Sequence, residues 1–180
     1  RIAITGANGF VGQNLVKHFL GEGRELTILA RDTHRCPSYW YDTSQVRLVP
    51  TGPIQSADNL SEVLNGVDTI VHLAGLAHSR LADAGDYMAS NAHATQMMVE
   101  ASVAVNAASF IHLSSLAAAL EPKSVAERGR DRAYNSLVYY GRSKNAAEDH
   151  VARLTEAGLF AVSLRVPIIV GAGAKGNWQA

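Results

Sequence analysis

The chain has 180 residues, 47% of them apolar, enough to bury the core of one domain. Its 16 Lys and Arg balance 16 Asp and Glu, so no basic face for nucleic acid is expected. No apolar run is long enough to cross a membrane. The single cysteine, Cys36, excludes an internal disulfide and fits a reducing cytoplasm as a bystander thiol. The first residues already read as a buried strand, so no signal peptide is expected. A chain that starts without Met and stops among glycines is expected to be a piece of a longer one.

In chain order, short apolar runs alternate with longer helical patterns. The first strand, Ile2–Thr5, leads through a glycine turn into a helix over 10–20, stopped by Gly21 and Gly23. Strands follow at Leu26–Ala30 and 46–49, then a helix over 57–64 and a strand over 69–73. A long loop over 75–85 precedes a helix over 86–107. A strand over 110–114, a second long loop over 116–133, a helix over 136–157 and a strand over 161–166 complete the pattern. The strands show little alternation, as expected of parallel strands buried on both faces. The implied fold class is α/β, a doubly wound parallel sheet of the NAD(P)-binding Rossmann kind. One domain is expected over 1–170, with 171–180 opening a further region. Both long loops follow a strand at its carboxyl end, where such sheets bind ligands.

The turn after the first strand reads Thr5-Gly6-Ala7-Asn8-Gly9-Phe10-Val11-Gly12. Gly6 allows the tight turn, Gly9 lets a pyrophosphate approach the backbone, and Gly12 lets helix and strand pack closely. Amides at the helix N-terminus, and the helix dipole, then favour the phosphates. The glycines recur at every third position, so the pattern differs from G-x-G-x-x-G.

TGANGFVG resembles the T-G-x-x-G-F-x-G signature of extended short-chain dehydrogenases, the class of nucleotide-sugar epimerases, dehydratases and ketoreductases. The resemblance runs through essentially the whole chain and implies cofactor contacts at Gly6, Asn8, Gly9, Phe10, Val11 and Gly12. Val71-His72-Leu73-Ala74-Gly75 is similar to the family's next cofactor segment, which implies contacts from Leu73, Ala74 and Gly75. Asn91 matches an asparagine of the long helix. Leu164 to Gly171 resembles the L-R-x-x-x-x-Y-G segment beside the nicotinamide, with Pro167 inside it and Val170 in place of the tyrosine.

Tyr140 and Lys144 form a Y-x-x-x-K pair on one helix face. A free tyrosine is a poor base at neutral pH, and a nearby ammonium is expected to lower its pKa. Tyr140 then exchanges a proton with the substrate oxygen while the nicotinamide exchanges hydride. The resemblance also has Lys144 hold the nicotinamide ribose and puts Ser115 at the catalytic serine position, with Ser114 a cofactor-side or structural hydroxyl. His72 and His112, inside apolar strands, read as core histidines. Met97 and Met98 read as core or interface. No cluster has metal-ligand spacing.

NAD-preferring members of the family carry an acidic residue at the end of the second strand. Here that position falls at Ala30, followed by Arg31, with Asp32 and Arg35 close by, which leans towards NADP over NAD. The tail from Gly171 resembles the G-P-G-x-K-G-N segment of nucleotide-sugar 4-epimerases and 4-ketoreductases of surface-polysaccharide pathways. That makes Lys175 and Asn177, with His78 and Ser115, candidate substrate contacts. Hydride transfer at C4 of a nucleotide-linked hexose is the implied activity, in a cytoplasmic homodimer paired through the two long helices. A non-catalytic NAD(P)-binding or redox-sensing module is the competing expectation.

Overall fold

The computed structural model describes residues 1–77, 79, 81–120 and 132–174. Six strands form one sheet: β1 Ile2–Thr5, β2 Leu26–Ala30, β3 Val46–Pro50, β4 Thr69–His72, β5 Ser109–Ser115 and β6 Phe160–Val166. All pairings are parallel, in the order β3-β2-β1-β4-β5-β6. The expected doubly wound sheet is present, and its order reverses beside β1, where such sheets bind ligands at the strand carboxyl ends.

The helices are α1 Phe10–Gly21, α2 Leu60–Val63, α3 Ala84–Tyr87, α4 Ala94–Ala104 and α5 Arg132–Glu156. On one face, Ala3, Ile70 and Phe110 of the sheet pack with Met98 and Val99 of α4 and Val151 and Leu154 of α5. On the other, Ile4, Ile28 and Val71 pack with Val16 of α1 and with Trp40. This is why β2 is buried at every position and reads as an unbroken apolar run.

Three sequence expectations are corrected. The helix expected over 57–64 is a 3₁₀ turn at Ile54–Ser56 followed by the single turn α2, because Asn59 sits in the left-handed region (φ 57°) between them. The continuous helix expected over 86–107 is built of α3, a π-helical stretch Met88–His93, and α4. A π turn carries one residue more than an α turn, a local change that apolar periodicity does not reveal. The edge strands β3 and β6 are not buried on both faces; Phe160 and Leu164 of β6 are exposed. An edge strand has one paired neighbour, and its apolar run alone does not say whether both faces are covered.

Candidate active site

Gly6 turns the chain with φ +67°, and a Cβ there would lie 2.6 Å from the Leu73 carbonyl carbon and the Ala74 amide nitrogen. A Cβ on Gly12 would lie 2.5 Å from Ala7 Cα and collide with the Gly6 carbonyl. Gly9 is exposed, and a Cβ there would meet only the Gly6 carbonyl oxygen, at 3.2 Å. Thus Gly6 and Gly12 permit close packing, while Gly9 keeps its face open. Gly9 is also the N-cap of α1. No side chain caps that helix end, and no acidic residue stands in its first turn, so the amides of the Phe10–Val11 turn suit an anion. Asn8 accepts from Gln13 Nε2 on its carbonyl oxygen, at 2.9 Å, which stiffens the loop. The Phe10 ring packs against Gly171, where a Cβ would lie 2.9 Å from Cζ.

The strand ends are tied by a directed chain of hydrogen bonds. The Ala74 amide donates to Thr5 Oγ1 at 3.1 Å, so the Thr5 hydroxyl is free to donate to His72 Nδ1, 2.8 Å away. Thr95 donates to the Asn91 carbonyl at 2.6 Å and so accepts from His72 Nε2 at 3.1 Å. His72 is therefore a neutral Nε2–H imidazole, and burial holds its pKa down to about 3. It is the satisfied core histidine the sequence suggests.

Asn91 is fully buried. Its Oδ1 accepts from the Leu76 amide at 2.7 Å, and its Nδ2 donates to the Leu76 carbonyl at 3.0 Å and to Ser143 Oγ at 2.8 Å. Both donor hydrogens are thereby used, so Asn91 clamps the segment after β4 onto α5. A Cβ on Gly75 would stand 2.8 Å from Asn91 Oδ1, which explains a glycine there.

A cleft of about 790 Å³ opens at the carboxyl ends of β4, β5 and β6. Gly75, Asn91, Ser115, Tyr140, Lys144 and Pro167 all line it. A second cavity, of about 330 Å³ around Arg1 and Asp68, lies at the amino ends of the strands and involves none of these groups. Tyr140 and Ser115, far apart in sequence, meet because α5 packs across β5. Their hydroxyls interact, and that bond lowers the Tyr140 pKa, but burial raises it more, so Tyr140 stays above its ordinary value. The expected depression by Lys144 does not occur. The ammonium is not among the groups that shift Tyr140; instead it lies 2.8 Å from His112 Nε2. Burial lowers Lys144 to about 8, against an opposing pull from Glu148.

Ser114 also lines the cleft but bonds Glu148 of α5, which holds Arg165 through both oxygens at 2.6 to 3.1 Å. That supports the structural role for Ser114. Sequence reasoning missed Gly141, where a Cβ would collide with the Ala117 carbonyl, and Ser143, which bonds Asn91. Their adjacency to Tyr140 and Lys144 was the available signal. Arg31 is exposed at the end of β2, and Asp32 accepts from the His34 amide at 3.0 Å as a turn cap. His78, Lys175 and Asn177 lie outside the described residues. Among the described residues no group of His, Cys, Asp and Glu has metal-site geometry, and no helix is long and apolar enough to cross a membrane.

A sheet of this order, with a glycine-lined helix N-terminus and a Ser, Tyr and Lys converging beside it, defines a dinucleotide-dependent dehydrogenase scaffold. Residues 2–179 match the model of the NAD dependent epimerase/dehydratase family, and the chain belongs to that family. It is 33% identical over 172 residues to a ceramide reductase of Caulobacter vibrioides, covering 96% of this chain and 47% of that protein. It is 28% identical over 183 residues to a UDP-2-acetamido-2,6-beta-L-arabino-hexul-4-ose reductase of Pseudomonas aeruginosa, covering 100% of this chain and 38% of that one. Among solved structures it is similar to MoeE5 in complex with UDP-glucuronic acid and NAD, with TM-score 0.78 and 28% identity, covering 98% of this chain and 57% of that one. The chain spans about half the length of these relatives or less. The enzymes of this family set the frame for its function.

Proposed function

We propose that the whole protein is an NAD(P)-dependent epimerase or 4-ketoreductase acting at C4 of a nucleotide-linked hexose. The observation that carries this reading is the convergence of Ser115, Tyr140 and Lys144 in the cleft beside the glycine loop. The dinucleotide supplies or accepts the hydride. Gly6, Asn8, Gly9, Phe10, Val11 and Gly12 hold its pyrophosphate against the uncapped end of α1. Leu73, Ala74 and Gly75 present small residues and backbone to its adenosine and ribose. Lys144 binds the nicotinamide ribose, Pro167 flanks the ring, and Asn91 acts through the clamp it makes on Leu76 and Ser143. Tyr140 gives its phenolic proton to the substrate oxygen and Ser115 bonds the same oxygen. Burial raises the Tyr140 pKa, so at neutral pH the phenol carries the proton that ketone reduction requires. His78, Lys175 and Asn177 remain candidate sugar-nucleotide contacts.

A second reading, reduction of an apolar ketone, draws on the likeness to a ceramide reductase and on Leu73, Leu113, Leu116, Ile168 and Ile169 in the cleft wall. A non-catalytic redox-sensing module is disfavoured by the three assembled side chains. Initial rates of the whole protein on UDP- and dTDP-hexoses, their 4-keto forms and long-chain 3-ketones separate the readings. Turnover of none of them would leave the sensing module.

The cofactor preference is expected to be NADP. This reading is supported by Asp32 being engaged as a turn cap while the neighbouring Arg31 is exposed at the end of β2. Calorimetry should show NADP binding roughly tenfold or more tighter than NAD, a gap that Arg31→Ala narrows. Tighter binding of NAD to the wild type would refute this. A homodimer through the long helices is proposed from Met88 and Val103, large apolar side chains exposed along the first of them. Sedimentation at micromolar concentration should give twice the chain mass, and a monomer mass would count against the pairing.

A further inference from the structure

Tyr140, Lys144 and Glu148 stand at successive turns of α5, on one stripe. Each meets a partner on β5: Ser115, His112 and Ser114 in that order. His112 reads in the sequence as a core histidine, and it is fully buried. Yet its Nε2 lies 2.8 Å from Lys144 Nζ. An ammonium has three donors and no acceptor, so Nε2 must present its lone pair. The proton is then on Nδ1, 3.0 Å from Ser163 Oγ on β6. The ring is further held by His72, stacked with centroids 5.9 Å apart and planes at 29°.

We propose that His112 is a positioning residue for Lys144, a neutral Nδ1–H imidazole whose Nε2 lone pair anchors the ammonium in the cleft. This rests on the reading that Lys144 serves the dinucleotide and Tyr140. A carboxylate at this position would neutralise the ammonium, and a serine hydroxyl is too short to reach it. A neutral imidazole holds the nitrogen in place and leaves its charge available. The titratable groups that act on Lys144 and His112 are few among the described residues. They are Glu148 of α5 and, from β4, His72, with Tyr140 one helical turn away. Arg165 of β6 is turned to Glu148. Burial and the positive charge of Lys144 hold His112 far below its ordinary pKa, so it stays neutral wherever Lys144 keeps its proton.

Long-range ¹H–¹⁵N spectra of the 180-residue chain test this without any ligand. At pH 7 His112 should be neutral with its proton on Nδ1, the minor form of a free imidazole. A proton on Nε2, or an imidazolium, would overturn the proposal. Two variants add a functional readout. His112→Gln places an amide oxygen near the Nε2 position and keeps an acceptor for Lys144. His112→Asn places its amide near Nδ1 and removes that acceptor. The Lys144 Cε resonance should titrate as in the wild type in the glutamine variant and at lower pH in the asparagine variant. Dinucleotide affinity should fall ~10-fold or more with asparagine but stay within ~3-fold with glutamine. Equal losses in both variants that follow Tm would make the ring mere packing and overturn the anchor. Failure of the wild type to bind dinucleotide would instead sink the cofactor reading, while the tautomer and the Lys144 titration still decide this one.

Discussion

Tyr140→Phe should lower turnover of the whole protein by roughly 10²–10⁴-fold, the usual worth of a positioned acid or base. It should leave dinucleotide affinity nearly unchanged, because the ring that packs 6.3 Å from Tyr87 is retained and only the hydroxyl is lost. Burial raises the Tyr140 pKa, and in the proposed reduction the phenol would donate to the forming alkoxide. Ser115 opposes that rise through its hydrogen bond, and Ser115→Ala should therefore move the alkaline limb of the pH–rate profile upward while lowering the rate. Lys144→Ala should damage cofactor binding and turnover together. Steady-state rates and calorimetry on the same preparations check all three variants. A Tyr140→Phe variant as active as the wild type would show the Y-x-x-x-K spacing to be an accident of helix composition.

The second large effect is expected at Gly141, which no motif singled out as a contact. A Cβ there collides with the Ala117 carbonyl, backbone that cannot swing aside as a side chain would. Gly141→Ala gains about 1 kcal/mol of helix propensity. The overpacking costs about 1–3 kcal/mol. The stability change is thus modest, but relief requires α5 to move away from the segment after β5. That motion separates Tyr140 from Ser115. A misplacement of about 1 Å can cost roughly 10²-fold in rate. Gly141→Ala should therefore keep most of its Tm and lose most of its turnover, and Gly141→Val should lose both. A Gly141→Ala variant with wild-type kcat would show that the contact relaxes without moving Tyr140.

Much of this was legible in the residues themselves. Buried parallel strands such as Leu26–Ala30 announce themselves by unbroken apolar runs, and Gly23 and Gly158 end their helices with φ +73° and +84°, as their positions suggest. The glycine loop was readable because its chemistry is local: three glycines, a strand before and a helix after. The i, i+4 spacing likewise placed Tyr140 and Lys144 on one face. The π-helical stretch around Asn91 was not legible, since a widened turn leaves the apolar pattern nearly intact.

What the sequence by itself determined is most of the strands, the glycine turn and the identity of the side chains available for chemistry, because each is written in patterns a few residues long. The partners of those side chains were decided only by the tertiary structure. Lys144 lies in a helix and His112 in a strand 32 positions earlier, and nothing local pairs them. Asn91 is spent on Leu76 and Ser143 because the fold packs its π-helical stretch against both the segment after β4 and α5. The direction in which Tyr140 titrates was decided the same way. Spacing suggested a neighbouring charge, but the ammonium meant to lower that pKa is turned to a histidine, and burial outweighs the Ser115 hydrogen bond and raises it.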